Sequence, residues 1–160
     1  MYNRPLVRPD FVVPDRIQLD GLKLCMLSID DVERDFEAVV ASETRLKGLF
    51  DRDSPWPVGL TIRENLVDLG WHEREFTLRK SFAYSVTALA DNRYLGCCYI
   101  FPSNVAGYDA SVFYWVRAAA DADVRDAHLG AQLKVWLRET WPFQHVAFPG
   151  RDRQKPLPQS

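Results

Sequence analysis

The stretch that most restricts the fold runs from Ser111 to Phe148. An apolar strand, Ser111–Arg117, leads through an Ala/Asp-rich turn into Arg125-Asp-Ala-His-Leu-Gly130, which opens an amphipathic helix over Leu129–Thr140; a short strand follows at His145–Phe148. A strand–helix–strand connection of this length is right-handed and sets its two strands parallel. The unpaired amides of a helix's first turn carry partial positive charge and together form an anion site when the preceding loop is tight. The pattern therefore predicts a site made mainly of backbone at the start of this helix.

A chain of 160 residues with 47% hydrophobic content has the material for one domain with its own core. The formal net charge of -2, with both signs interspersed, argues against nucleic acid or an anionic membrane as partner. Arg4, Arg8 and Arg16 at one end and Arg151, Arg153 and Lys155 at the other read as solvated basic termini. Cys25, Cys97 and Cys98 fall in no metal-ligand spacing with histidine, so neither a disulfide framework nor a zinc site is expected. Cys97 and Cys98 should face opposite sides of one strand as buried free thiols, which suits a reducing compartment. With no signal-type leader and no apolar run near the ~20 residues of a membrane span, the expectation is a cytoplasmic protein with no membrane partner.

Along the chain, Pro5, Pro9 and Pro14 mark residues 1–18 as an extended N-terminal arm, 19–150 read as a single domain, and 151–160 as a polar tail. Leu22–Leu27 reads as a strand. Ser28 then caps a helix over Asp30–Ser42 that buries Val32, Phe36, Val39 and Val40. A short helix is predicted over Glu43–Phe50. Thr61-Ile-Arg-Glu64 is a capping-box pattern opening a long helix to about Lys80, with Ile62, Leu66, Leu69 and Phe76 on its inner face. Phe82–Leu89 and Tyr94–Phe101 read as a hairpin, with Ser111–Arg117 antiparallel to the second strand.

This order resembles the GNAT superfamily of acyl-CoA-dependent N-acetyltransferases over about Leu22 to Gly150. The resemblance rests most on the family's Q/R-x-x-G-x-G/A motif, matched by Arg125-Asp-Ala-His-Leu-Gly130, in which His128 stands at the first glycine. It implies an α+β (α/β) fold: a mixed, mainly antiparallel sheet containing a parallel strand–helix–strand unit, with helices on both faces. It also implies acetyl-CoA or another acyl-CoA as co-substrate. Val116 and Arg117 would meet pantetheine, and Arg125, Asp126, Ala127, His128, Leu129, Gly130 and Ala131 the diphosphate. Asp121, Asp123 and Asp126 place negative charge beside that anion site, and the tail offers no counterpart to the family's general-acid tyrosine.

The reaction so implied is attack of an amine, on a small molecule or a peptide, upon the acyl thioester. A base must lie within hydrogen-bond reach of that amine. The candidates are Tyr114 in the strand, which also reads as core or pocket wall, Asp109 at its mouth, and Glu73 and Glu75 of the long helix, which also read as a solvated face. A lone helical His72 reads as a packed or surface residue, and Trp56, Trp71 and Trp115 suit either an acceptor-site wall or the core. The alternative is a GNAT-like binding or assembly module that has lost CoA chemistry. In either case the arm or an edge strand offers a contact for a second copy of the chain.

Overall fold

The computed structural model describes residues 4–152. Six strands form one sheet in chain order, β1 (Arg16–Leu19), β2 (Leu22–Met26), β3 (Phe82–Ala88), β4 (Tyr94–Pro102), β5 (Ala110–Val116) and β6 (Val146–Ala147). The first five are antiparallel neighbours; β5 and β6 are parallel and paired only at Ala110↔Val146 and Ser111↔Ala147. Helices α1 (Val32–Ala41), α2 (Glu43–Leu46) and α3 (Ile62–Thr77) come before β3, and α4 (Ala122–Thr140) links β5 to β6. The mixed sheet with its parallel strand–helix–strand unit is the architecture expected. No helix among the described residues is long and apolar enough to cross a membrane.

Period-two alternation divides the core between the two faces of the sheet. Val112, Tyr114 and Val116 of β5 pack with Leu129, Leu133, Trp136 and Leu137 of α4. Trp115 joins Ala38, Val39, Leu46 and Leu69 from α1–α3 on the other face. Cys97 and Cys98 are buried in opposite layers, as adjacent strand residues must be. The alternation is broken once, by a bulge that places Leu95 between the pairs Thr87↔Tyr94 and Val86↔Gly96. Its effect is to turn Tyr94 and Cys97 to the same side, with Oη and Sγ 3.2 Å apart. Glycine is required at position 96, because a Cβ there would overlap the Trp115 carbonyl.

Four local expectations need correction. The N-terminal segment does not stay irregular throughout residues 1–18: Arg16–Leu19 pairs with β2, while Val7 is buried and Leu6, Phe11 and Val13 pack on the core. Val40, Ile62 and Leu66 are exposed, and the inner face of α3 carries Asn65, Leu69, Glu75 and Phe76 instead. Of these, Asn65 and Leu69 border a cavity. Glu75 is fully buried beside Arg74 rather than solvated. Most consequentially, α4 begins at Ala122, seven residues before Leu129. The Ala/Asp-rich segment contains no glycine or proline to stop a helix, its alanines favour one, and Asp121 pairs with Arg125 one turn on at 2.7 Å. Residues 1–3 and 153–160, including most of the expected tail, lie outside the described residues.

Candidate functional site

Because α4 starts early, Arg125–Ala131 occupies its second and third turns, and these backbone amides are spent within the helix; the Arg125 N–H donates to the Asp121 carbonyl at 3.0 Å. The side chains are engaged as well. His128 Nε2 lies 2.8 Å from the Asp20 carbonyl, tying α4 to the β1–β2 turn. Leu129 is core, whereas Ala127 and Ala131 are exposed. Gly130 lies under the Tyr114 hydroxyl, which a Cβ at position 130 would overlap, so its smallness serves a packed ring. Asp126 receives two hydrogen bonds from Arg151, at 2.6 and 3.0 Å.

The first turn of α4 is Ala122-Asp-Val124, preceded by Asp121, whose side chain makes no capping bond. Asp121 and Asp123 are paired to Arg125 and Arg45. These residues do not fit a diphosphate. The helix start offers only a few open amides, no glycine lets the phosphates approach, and carboxylates already hold the nearby cations. Arg117 is committed too, with a two-pronged contact to Glu37 at 2.6 and 2.9 Å, while its neighbour Val116 is buried in the core.

The other side of this corner is the edge of β5. Beyond Ser111 this edge has no strand partner among the described residues. Arg151 spans it: Nη2 donates to the Tyr114 carbonyl at 2.7 Å, and the guanidinium lies 3.6 Å from the centre of the Tyr114 ring. Burial pushes the Tyr114 hydroxyl above its ordinary pKa, partly offset by Arg151. Asp109 sits at the mouth of β5, where one carboxylate oxygen accepts from the amides of Gln144 and His145 at 2.7 and 2.9 Å. It thereby holds the start of β6. The structure thus brings Tyr114, Asp126, Gly130 and Arg151 together, and leaves Asp109 and Arg117 at the two ends of the strand.

On the opposite face of the sheet lies a cavity of about 200 Å³ walled by Phe50, Trp56, Trp71 and Tyr99, with Asp35, Asn65, Asp68 and His72 among its lining residues. Asn65, Asp68, Leu69 and His72 recur at helical spacing and present one face of α3 to it. Asp35, only 3% exposed, accepts from Asn65 Nδ2 at 2.8 Å, Tyr94 Oη at 2.7 Å and Cys97 Sγ at 3.2 Å. Burial pushes the Cys97 thiol well above its ordinary pKa, with Asp35 adding to the shift. Desolvation lowers His72 to about 4, so its ring is neutral near pH 7, and its buried Nδ1 has no hydrogen-bond partner. In the sequence His72 reads as a packed or surface residue, and Asp35, Asn65 and Asp68 belong to no motif. The readable signal was the polar run at positions 65, 68 and 72.

No family model matches the sequence, and no curated protein matches it by sequence. The structure, however, is similar to solved acetyltransferases. RimL, the ribosomal L7/L12 α-N-protein acetyltransferase, superposes with a TM-score of 0.58 at 18% identity, over 82% of this chain and 69% of that one. An acetyltransferase from Agrobacterium tumefaciens gives 0.56 at 12% identity, over 84% and 72%. The microcin C7 self-immunity acetyltransferase MccE, solved with acetyl-CoA and AMP, gives 0.54 at 15% identity, over 78% and 67%. The chain has the GNAT fold.

Proposed function

We propose that the chain is a GNAT-type N-acyltransferase that passes an acyl group from an acyl-CoA thioester to an amine, engaging the donor by its thioester arm along β5 rather than by its diphosphate. The observation that carries this reading is the break in parallel pairing after Ser111, which leaves the β5 edge as far as Val116 without a strand partner, so that an extended arm can hydrogen-bond there like a strand once Arg151 is displaced. The fold shared with acetyltransferases supports it. When bound, the donor would supply an activated carbonyl: the amine nitrogen forms the new C–N bond as the C–S bond breaks, and the proton the nitrogen gives up passes through solvent to the departing sulfur, which leaves as the free thiol.

The chain's own residues have separable tasks. The Tyr114 backbone offers the edge, and its ring, held between Gly130 and Arg151, forms the floor beside it. Asp109 is a positioning residue for β6, since its carboxylate is spent on backbone amides. Arg151 must leave the Tyr114 carbonyl for an arm to pair there.

A second reading, a binding module without CoA chemistry, accommodates that same Arg151 clamp and the aspartates at the start of α4, but the acetyltransferases that share the fold do not favour it. Thermal titration with acetyl-CoA and with S-acetylpantetheine separates the two. The acyltransferase reading expects both thioesters to raise the Tm with affinities within about tenfold of each other, and Arg151→Ala to strengthen both, because ligand binding to the folded state raises stability by mass action. Acetyl-CoA binding a hundredfold tighter would restore the diphosphate site at α4. No shift with either ligand, in the parent or the variant, would leave the module.

A further inference from the structure

Two residues of α4 that the proposed function leaves aside, Arg125 and His128, line another cavity, between the first turns of that helix and the sheet. Its volume is about 200 Å³. The inner wall is aliphatic: Leu22, Val86, Leu95, Val116 and Leu129 contribute to it, and none is more than 6% exposed. The open side is marked by Val124, which is 74% exposed, and by the partly exposed Arg125 and His128. Residues 124, 125, 128 and 129 share one face of the helix, and the two polar ones among them end in bonds to exposed residues. Arg125 Nε donates to Asp121 at 2.7 Å, and His128 Nε2 lies 2.8 Å from the Asp20 carbonyl. Both side chains are thereby held at the rim, and the space over Val86 and Leu95 stays unfilled.

Protein interiors are packed as densely as organic crystals, and the voids they keep are few and small. An apolar cavity of ~150 Å³ stays dry and takes up benzene, so this one has room for a short alkyl chain. The rim adds one polar requirement. Nη1 and Nη2 of Arg125 have no hydrogen-bond partner among the described residues, and a guanidinium fork matches a carboxylate through two parallel bonds. The acids nearby are taken: Asp121 pairs with Arg125 Nε and also feels the charge of Arg93, Asp123 pairs with Arg45, and the Asp20 carboxylate lies 3.8 Å from His128 Nε2. We propose that this cavity binds a short-chain aliphatic monocarboxylate, its hydrocarbon end among Leu22, Val86, Leu95 and Leu129 and its carboxylate on the free edge of the Arg125 guanidinium. None of Tyr114, Asp126, Gly130 or Arg151 lines the cavity, so the site is distinct from the β5 edge and is tested without any thioester.

The test is methyl NMR of the full chain titrated with hexanoate, with hexan-1-ol and hexylammonium as comparison probes. The expected result is saturable shifts of the Leu22, Val86, Leu95 and Leu129 methyls, with hexanoate bound about tenfold tighter than hexan-1-ol and hexylammonium bound most weakly. Arg125→Met keeps an unbranched stem at the rim and removes the charge, so it should bring hexanoate down to the level of hexan-1-ol and leave the alcohol unchanged. Val86→Ile adds a methyl group to the inner wall and should weaken both. Equal binding of acid and alcohol by the parent would reduce the cavity to an apolar hole and overturn the proposal, as would an Arg125→Met variant that keeps the preference. A preference for hexylammonium would mean that Asp121 and Asp20 set the charge of the rim, and would overturn it too. Shifts confined to other methyls, or hexanoate binding that Val86→Ile leaves unchanged, would place the ligand outside the cavity. Acetyl-CoA failing to bind would bear only on the acyl-transfer reading.

Discussion

His72 shows how much of this chain's chemistry depends on one solvent-deprived ring. Its imidazole is neutral in the folded protein down to about pH 4, whereas in the unfolded chain it takes up a proton near its ordinary 6.5. The unfolded state therefore binds more protons between those values, and stability rises with pH across that window. The contribution is fully present above about pH 6.5 and is lost as pH falls through about 4. A shift of this size corresponds to roughly 3 kcal/mol, at about 1.36 kcal/mol per pKa unit. Replacing the ring by phenylalanine removes the titration. Denaturant unfolding at pH 7 and at pH 4 should show the parent losing roughly 3 kcal/mol more than His72→Phe; parallel losses would mean that the ring is hydrated in the folded state.

At the scale of elements, the contact between α4 and β5 decides what Gly130 is for. Gly130→Ala pushes a methyl into the Tyr114 hydroxyl while Arg151 holds the ring from its other side, and overpacking of this kind costs typically ~1–3 kcal/mol. Tyr114→Phe removes the obstructing oxygen, so the double variant should recover most of that loss, a coupling that thermal unfolding of the two single variants and their combination would read. Additive losses would show that the glycine answers to something other than the ring. The same helix marks where sequence reading stopped. The capping box at Thr61 and Glu64 was legible because both partners lie within four residues, and both of its bonds are present. The start of α4 was legible in principle, since Ala122-Asp-Val-Arg-Asp-Ala127 favours helix, but the motif Arg125–Gly130 drew the boundary too late. The Asp35 cluster was not legible. It joins α1, α3 and a bulge in β4, and a bulge that puts Tyr94 and Cys97 on one face contradicts the alternation by which strands are read.

For the whole molecule, both ends of the described chain are fastened to the same layer of core. Arg151 ties the C-terminal end to Tyr114 and Asp126, and Arg79 ties the N-terminal one, donating from Nη2 to the carbonyls of Arg8 and Phe11 at 2.7 Å each. The Leu6 amide returns a bond to the Arg79 carbonyl at 2.7 Å, Tyr84 Oη donates to Pro14, and Phe11 rests on Trp141 with ring centres 5.1 Å apart. A segment so engaged is spent on its own domain, which weighs against using it to recruit a second copy. Arg79→Ala removes two bonds from a charged donor, each worth about 1.5–3 kcal/mol, and should lower the Tm while opening residues 4–15 to protease. Deleting residues 1–15 should lower the Tm further, since it uncovers Trp141 and the buried end of the sheet. If the segment served assembly instead, its deletion would leave the Tm in place and change the mass seen by light scattering, and those two readouts on one truncated chain decide between a strap and a docking arm.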